Sequence, residues 1–86
     1  MKYTLDGALF TDKESAYKQI KTALELPDWF GNNLDALHDA LTTLNGEIEF
    51  DNVAAMLNDM GAYAVKILRV FIDSAEENKN IKVTFA

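Results

Sequence analysis

With 86 residues, 49% of them hydrophobic, the chain has the size of one domain with one modest core, and its composition excludes disorder. It has no cysteine, so disulfides and thiolate metal sites are ruled out. The formal charge of -6 is concentrated: no Lys or Arg lies between Lys21 and Lys66, where all eight charged side chains are acids. Such a field repels nucleic acid and attracts a basic partner, or it serves only for solubility.

No apolar run is long enough to span a bilayer, and residues 1–7 lack the apolar core of a signal peptide. A soluble, cytoplasmic domain is expected. Lys2-Tyr3-Thr4-Leu5 alternates and predicts a strand with Tyr3 and Leu5 on one face; Asp6-Gly7 marks a turn. Thr11-Asp12-Lys13-Glu14 has the form of a capping box, with Thr11 as the cap and Glu14 reaching back to it. A helix to about Glu25 should follow, its inner side formed by Tyr17, Ile20, Ala23 and Leu24. Pro27 ends it, because the residue before a proline is biased away from helical angles.

Next come two adjacent aromatics in a turn. Phe30 is expected in the core, plugging the joint between two helices. Trp29 follows an acid in a loop and is expected to be partly exposed, as a binding anchor would be. Asn32 or Asn33 can cap the next helix, which should run to about Leu44. On it Leu34, Leu37, Leu41 and Leu44 recur at helical spacing and must be buried. That turns Asp35, Asp39 and Thr42 outward, with His38 at the edge of that group.

Asn45-Gly46 stops the helix, and Glu47-Ile48-Glu49-Phe50 alternates as a second strand. Asp51 or Asn52 should cap a short helix from 53 to about 60, packed through Ala54, Met56 and Leu57. Gly61 breaks it. A longer helix from 62 to about 78 follows, with Ala64, Ile67, Leu68, Phe71 and Ala75 as its inner stripe. Ile81, Val83 and Phe85 alternate as a third strand. The order is β-α-α-β-α-α-β in a single domain spanning 1–86. One-sided strands joined by helical crossovers predict an α/β fold in two layers, a three-stranded parallel sheet packed against about four helices.

Most chemistry is excluded. His38 stands three residues after Asp35 and next to Asp39, an arrangement that suits a general base, but cysteine is absent and Ser15 and Ser74 are distant in sequence. Two acids one turn apart, with no supporting loop, are a weak cation signal. The four glycines are scattered, so no phosphate-cradling loop exists, and a nucleic-acid surface lacks its basic patch. The chain is not expected to be an enzyme or to hold a cofactor or metal. What remains is the outward acidic face. Asp35 and Asp39 repel each other at i,i+4 without a lysine between them, which suits either a solvated surface or a binding site kept at some cost in stability.

The stretch Leu26-Pro27-Asp28-Trp29-Phe30-Gly31-Asn32-Asn33-Leu34-Asp35-Ala36-Leu37-His38-Asp39-Ala40-Leu41 resembles the central motif of the barstar family of ribonuclease inhibitors. The element order, the length, Gly61-Ala62, Phe71 and the alternating last strand agree with that family over the whole chain. The resemblance implies a barstar-like fold and a protein that inhibits a small secreted, barnase-like ribonuclease. It would do so by laying an acidic helix and the loop before it over the enzyme's cationic active site. Residue by residue, it implies that Asp39 inserts among the basic groups and that Asp35 is a second contact acid. Trp29 would pack on the nuclease's catalytic histidine, Thr42 would be a contact, and Asp73 would make a peripheral ion pair. Asn33, His38 and Thr43 complete the expected contact surface. His38, Thr43 and Leu44 depart from the prototype, which has Trp, Gly and Trp there. The implied partner is a basic ribonuclease, with no nucleic acid and no membrane, and the free chain is expected to be a monomer. The alternative is a non-catalytic acidic module of the same fold for a different basic protein.

Overall fold

Alternating apolar and polar residues become three strands in the computed structural model, which describes residues 1–86: β1 (Lys2–Asp6), β2 (Gly46–Asp51) and β3 (Ile81–Phe85). They form one parallel sheet in the order β1-β2-β3. The register sets Tyr3 beside Ile48 and Val83, and Leu5 beside Phe50 and Phe85. Because side chains alternate across a strand, these rows share the inner face. Thr4, Glu49 and Thr84 form an outer row, in which Glu49 also takes Lys2 at 3.1 Å.

Helices fill both crossovers. The first carries α1 (Lys13–Ala23) and α2 (Leu34–Thr43); the second carries α3 (Val53–Met60) and α4 (Ala62–Glu77). This is the expected α/β arrangement of three parallel strands and four helices. The sheet's inner face and the apolar helix stripes share one core cluster, centred on aromatic rings. Phe50, on the middle strand, lies 5.2 Å from Phe10 and 5.3 Å from Phe71, centroid to centroid, the second pair edge to face. Phe10 reaches this cluster from a short 3-10 turn, Gly7–Leu9, that alternation alone did not reveal.

Local details correct four expectations. The capping box lies one residue later than Thr11 and Glu14. Asp12 is the cap, its carboxylate accepting from Ser15 N at 2.8 Å, and Ser15 Oγ accepts from Asp12 N at 3.0 Å. Aspartate caps better than threonine. The Ser15 amide and hydroxyl hold the Asp12 carboxyl below its usual range. The support this cap gives is present above the ordinary aspartate range and is lost as pH falls through the lowered value.

Helix α1 ends at Ala23, not near Glu25. Leu26 N donates to Lys21 O at 2.9 Å and Glu25 N to Thr22 O at 3.3 Å, with Glu25 at φ +54°. This is a Schellman stop, reached before Pro27 acts. The cap of α3 is Asn52, but its side chain makes no capping bond; it donates instead to Asp6 Oδ1 at 2.8 Å. That bond and one from Ala8 N lower the Asp6 pKa. Helix α3 also turns a different face inward. Met56 is buried with Val53 and Met60 beside the core, while Ala54 and Leu57 are exposed. The helix lies against the 3-10 turn and α4, which rotates its buried stripe one position from the expected one.

Helix α4 buries Ser74 completely, and its hydroxyl finds no hydrogen-bond partner. Ser74→Ala should therefore stabilise the protein by roughly 1 kcal/mol, through relief of the stranded hydroxyl and better helix propensity. A urea midpoint that falls in the variant would contradict this.

Candidate functional site

Helix α2 and the loop before it carry most of the expected contact residues. Asn33 starts the helix: its Oδ1 accepts from Ala36 N at 2.7 Å and its Nδ2 donates to Gly31 O at 3.0 Å. The choice left open between Asn32 and Asn33 falls on Asn33. Asn32 takes φ +50° and turns the chain into it. Both ends of the Asn33 amide are thus engaged locally, one by the loop and one by the first turn of α2. Leu37 and Leu41 are fully buried, and Leu34 and Leu44 are half-buried. The leucine face is therefore inward, and Asp35 and Asp39 are exposed. Asp35 in the first turn is favoured by the positive end of the helix.

The loop aromatics divide as expected. Phe30 is buried beside Tyr17, whereas Trp29 is 85% exposed. Between the loop and α2 runs a groove of about 400 Å³. Pro27, Trp29 and Phe30 form one wall, Ala36 and Ala40 the other, and Asp39 and Thr43 also line it. Sequence reasoning missed this groove. Its one signal was the small pair Ala36 and Ala40, one turn apart, which leaves room on that flank of the helix.

The hydroxyls of Thr42 and Thr43 donate back to Asp39 O at 2.8 Å and Ala40 O at 3.2 Å. Their oxygens remain able to accept. His38 is half-buried at the α2–α4 contact, with Nε2 2.6 Å from Glu77 Oε2 and Nδ1 3.9 Å from Asp39 Oδ1. Asp73 lies one helical turn before Glu77 and is 3.9 Å from Arg69 Nε. Glu77 was not among the expected site residues. Its spacing of four from Asp73 was the available hint.

Asn78, also unforeseen, fastens the far end of α2. Its Nδ2 donates to Leu41 O at 2.9 Å and Leu44 O at 2.8 Å, and its Oδ1 accepts from Asn80 N at 3.0 Å. Terminal helix carbonyls have no partners of their own helix, so a side chain just beyond α4 supplies them. Asn78→Ala should lower stability by about 2–3 kcal/mol, because buried groups are left unpaired. An unchanged urea midpoint would mean that water replaces the amide.

No group of three or more His, Cys, Asp or Glu side chains is arranged to hold a metal ion. The site offers exposed carboxylates, an exposed indole and an apolar groove with an acid beside it. These are means of binding a cationic, partly flat surface.

The family model described as Barstar (barnase inhibitor) matches residues 1–86. The chain belongs to the barstar family. It is also similar to a protein of Bacillus subtilis (strain 168) named "Putative ribonuclease inhibitor YrdF". The two are 34% identical over 82 residues, covering 92% of this chain and 90% of that one. Membership of the barstar family supports a barnase-inhibitor-like role, exercised through a ribonuclease partner. No helix is long and apolar enough to cross a membrane.

Proposed function

We propose that the chain inhibits a small, basic, barnase-like ribonuclease by covering its cationic active site with α2 and the loop before it. The observation that carries this reading is the pairing of Asp39 with the Trp29 groove, in a chain of the barstar family. Asp39 enters the cluster of arginines and lysine that otherwise binds RNA phosphate, where an arginine pairs in bidentate fashion once water is excluded. The groove takes a flat ring, the nuclease's catalytic histidine, with the indole of Trp29 against its face and Asp39 next to its charge. Asp35 and Thr42 add contacts along α2, and Asp73 a peripheral ion pair, for which it must share its acid with Arg69. Asn33 contributes chiefly by fixing the start of α2. The inhibitor does no chemistry of its own and acts as a monomer in the cytoplasm.

His38, Thr43 and Leu44 alter the contact surface and not the central core, so the chain should prefer a cognate nuclease over barnase. Inhibition assays test both claims. The protein is titrated into barnase and into any small basic nuclease encoded beside it. Stoichiometric inhibition of at least one is expected. Inhibition of neither would overturn the ribonuclease reading, and sub-nanomolar inhibition of barnase with much weaker inhibition of the neighbour would overturn the preference.

A further inference from the structure

Between Pro27 and Asn32 the loop before α2 is anchored to the core at one residue. Every residue of that segment but Phe30 is exposed. Its one backbone hydrogen bond, Phe30 N to Pro27 O at 3.0 Å, is internal to it. Asn33 holds only the far end, at Gly31 O. Lys21 reaches Asp28 at 3.3 Å, but that carboxylate is fully exposed, and such pairs hold little. The placement of the loop therefore depends on the seat of the Phe30 ring. That seat includes Tyr17 of α1, itself buried, with the two ring centroids 6.3 Å apart. Tyr17 is in turn held from α4. Its hydroxyl shares a 2.5 Å hydrogen bond with that of Tyr63, and the rings meet edge to face at 6.3 Å. Lys13, one turn before Tyr17 on α1, sets its ammonium 4.5 Å over the Tyr63 ring, a contact that favours the same arrangement. Both tyrosines also line a hollow of about 450 Å³ together with Asn32 and Asn33, where the loop enters α2. None of the residues around that hollow borders the Trp29 groove.

We propose that Tyr17 and Tyr63 position the binding loop: their joined hydroxyls tie α1 to α4, hold the Tyr17 ring in one orientation, and so fix Phe30 and its neighbour Trp29. The inference deepens the ribonuclease reading and rests on it for its effect on affinity. Neither tyrosine borders the groove, so both are positioning residues that act through Phe30. With the tie broken, the remaining hydroxyl turns to water in the hollow, and the Tyr17 ring gains freedom that passes to Phe30. The loop then samples several positions, of which only some present the indole and the open groove to a partner. Docking must select among them, and affinity falls by the lost preorganisation. The net worth of one hydrogen bond corresponds to roughly fivefold in an equilibrium constant, which sets the size of the loss.

Trp29 is the chain's single tryptophan, so its fluorescence reports on the loop directly. Tyr63→Phe and Tyr17→Phe each remove one hydroxyl and keep the ring. In the free protein, the time-resolved anisotropy of Trp29 should show a larger fast component in either variant than in the wild type. The nuclease that the chain inhibits more strongly, barnase or the enzyme encoded beside it, serves for the binding measurement. Its Kd should rise by roughly fivefold in either variant. The double variant should lose no more than a single one, because both substitutions break the same bond. An unchanged anisotropy decay overturns the proposal. So does an unchanged Kd, with or without a lowered urea midpoint, since the tyrosines would then serve packing alone. Losses that add in the double variant overturn it as well. Failure of the wild type to bind either nuclease is a different result: it removes the ribonuclease reading and the claim on affinity, whereas the anisotropy comparison needs no nuclease and tests the tie by itself.

Discussion

Asp39→Ala is expected to weaken nuclease binding by about 2–5 kcal/mol, the usual result of truncating one partner of a buried interfacial charge pair. That range is drawn in part from the prototype nuclease–inhibitor complex of this family and is carried over to this chain. Most of the loss should appear as faster dissociation, because the partner's basic groups are left buried without an acid. The free protein should be as stable as before, or slightly more so. The Asp39 side chain is 87% exposed and approaches only His38, at 3.9 Å. The bond from Thr42 goes to the backbone oxygen of residue 39, which the substitution keeps. Removing the carboxylate also relieves its repulsion of Asp35, by roughly 0.2–0.5 kcal/mol, and alanine is the better helix former. Inhibition and urea denaturation together check the claim. A stability loss above roughly 1 kcal/mol would show that Asp39 is structural.

Phe50→Ala should have the largest effect on the fold itself, about 3–5 kcal/mol of destabilisation. Phe50 is fully buried in the middle strand and meets Phe10, Phe71 and Phe85, which come from three other parts of the chain. Its removal leaves a cavity walled by rings that the strand pairings on both sides hold apart. A domain of this length has a total stability of roughly 4–13 kcal/mol. The variant should therefore melt far lower, or be partly unfolded at room temperature. Phe50→Leu keeps most of the volume and should cost less than half as much. If Phe50→Ala cost under about 1 kcal/mol, the cluster would be able to collapse around the gap, contrary to the close packing of protein cores.

These two substitutions separate two kinds of residue. On the proposed reading the acids of α2 serve binding at a small cost in stability, and the rings under β2 serve stability alone. The separation was readable in advance. Leu34, Leu37, Leu41 and Leu44 define one arc of a helix, and the orientation of Asp35 and Asp39 follows from it. Strand alternation likewise placed Tyr3, Leu5, Ile48 and Phe50 on the inner face. The exposed Trp29 and the buried Phe30 were separable too, since an acid before an aromatic in a loop leaves the first ring near water.

Periodicity reports what each residue's near neighbours impose, and that was enough for the sheet, the helices and the acidic face of α2. It reports nothing about contacts between residues 34 to 46 positions apart. Asn78 holds Leu41 and Leu44 from beyond α4, Asn52 leaves its own helix to bond Asp6, and His38 meets Glu77. Helix α3 shows the same limit: its pattern pointed to Ala54, Met56 and Leu57, and packing against α4 and the 3-10 turn selected the face with Val53, Met56 and Met60. The groove beside Trp29 belongs to this class as well, because a concavity is a relation between a loop and a helix. The sequence by itself determined the strands and the four α-helices, the buried faces of all of them but α3, and the acidic stretch. Only the tertiary structure decided which side chains from other elements join that stretch, because partner choice depends on how the helices lie against one another.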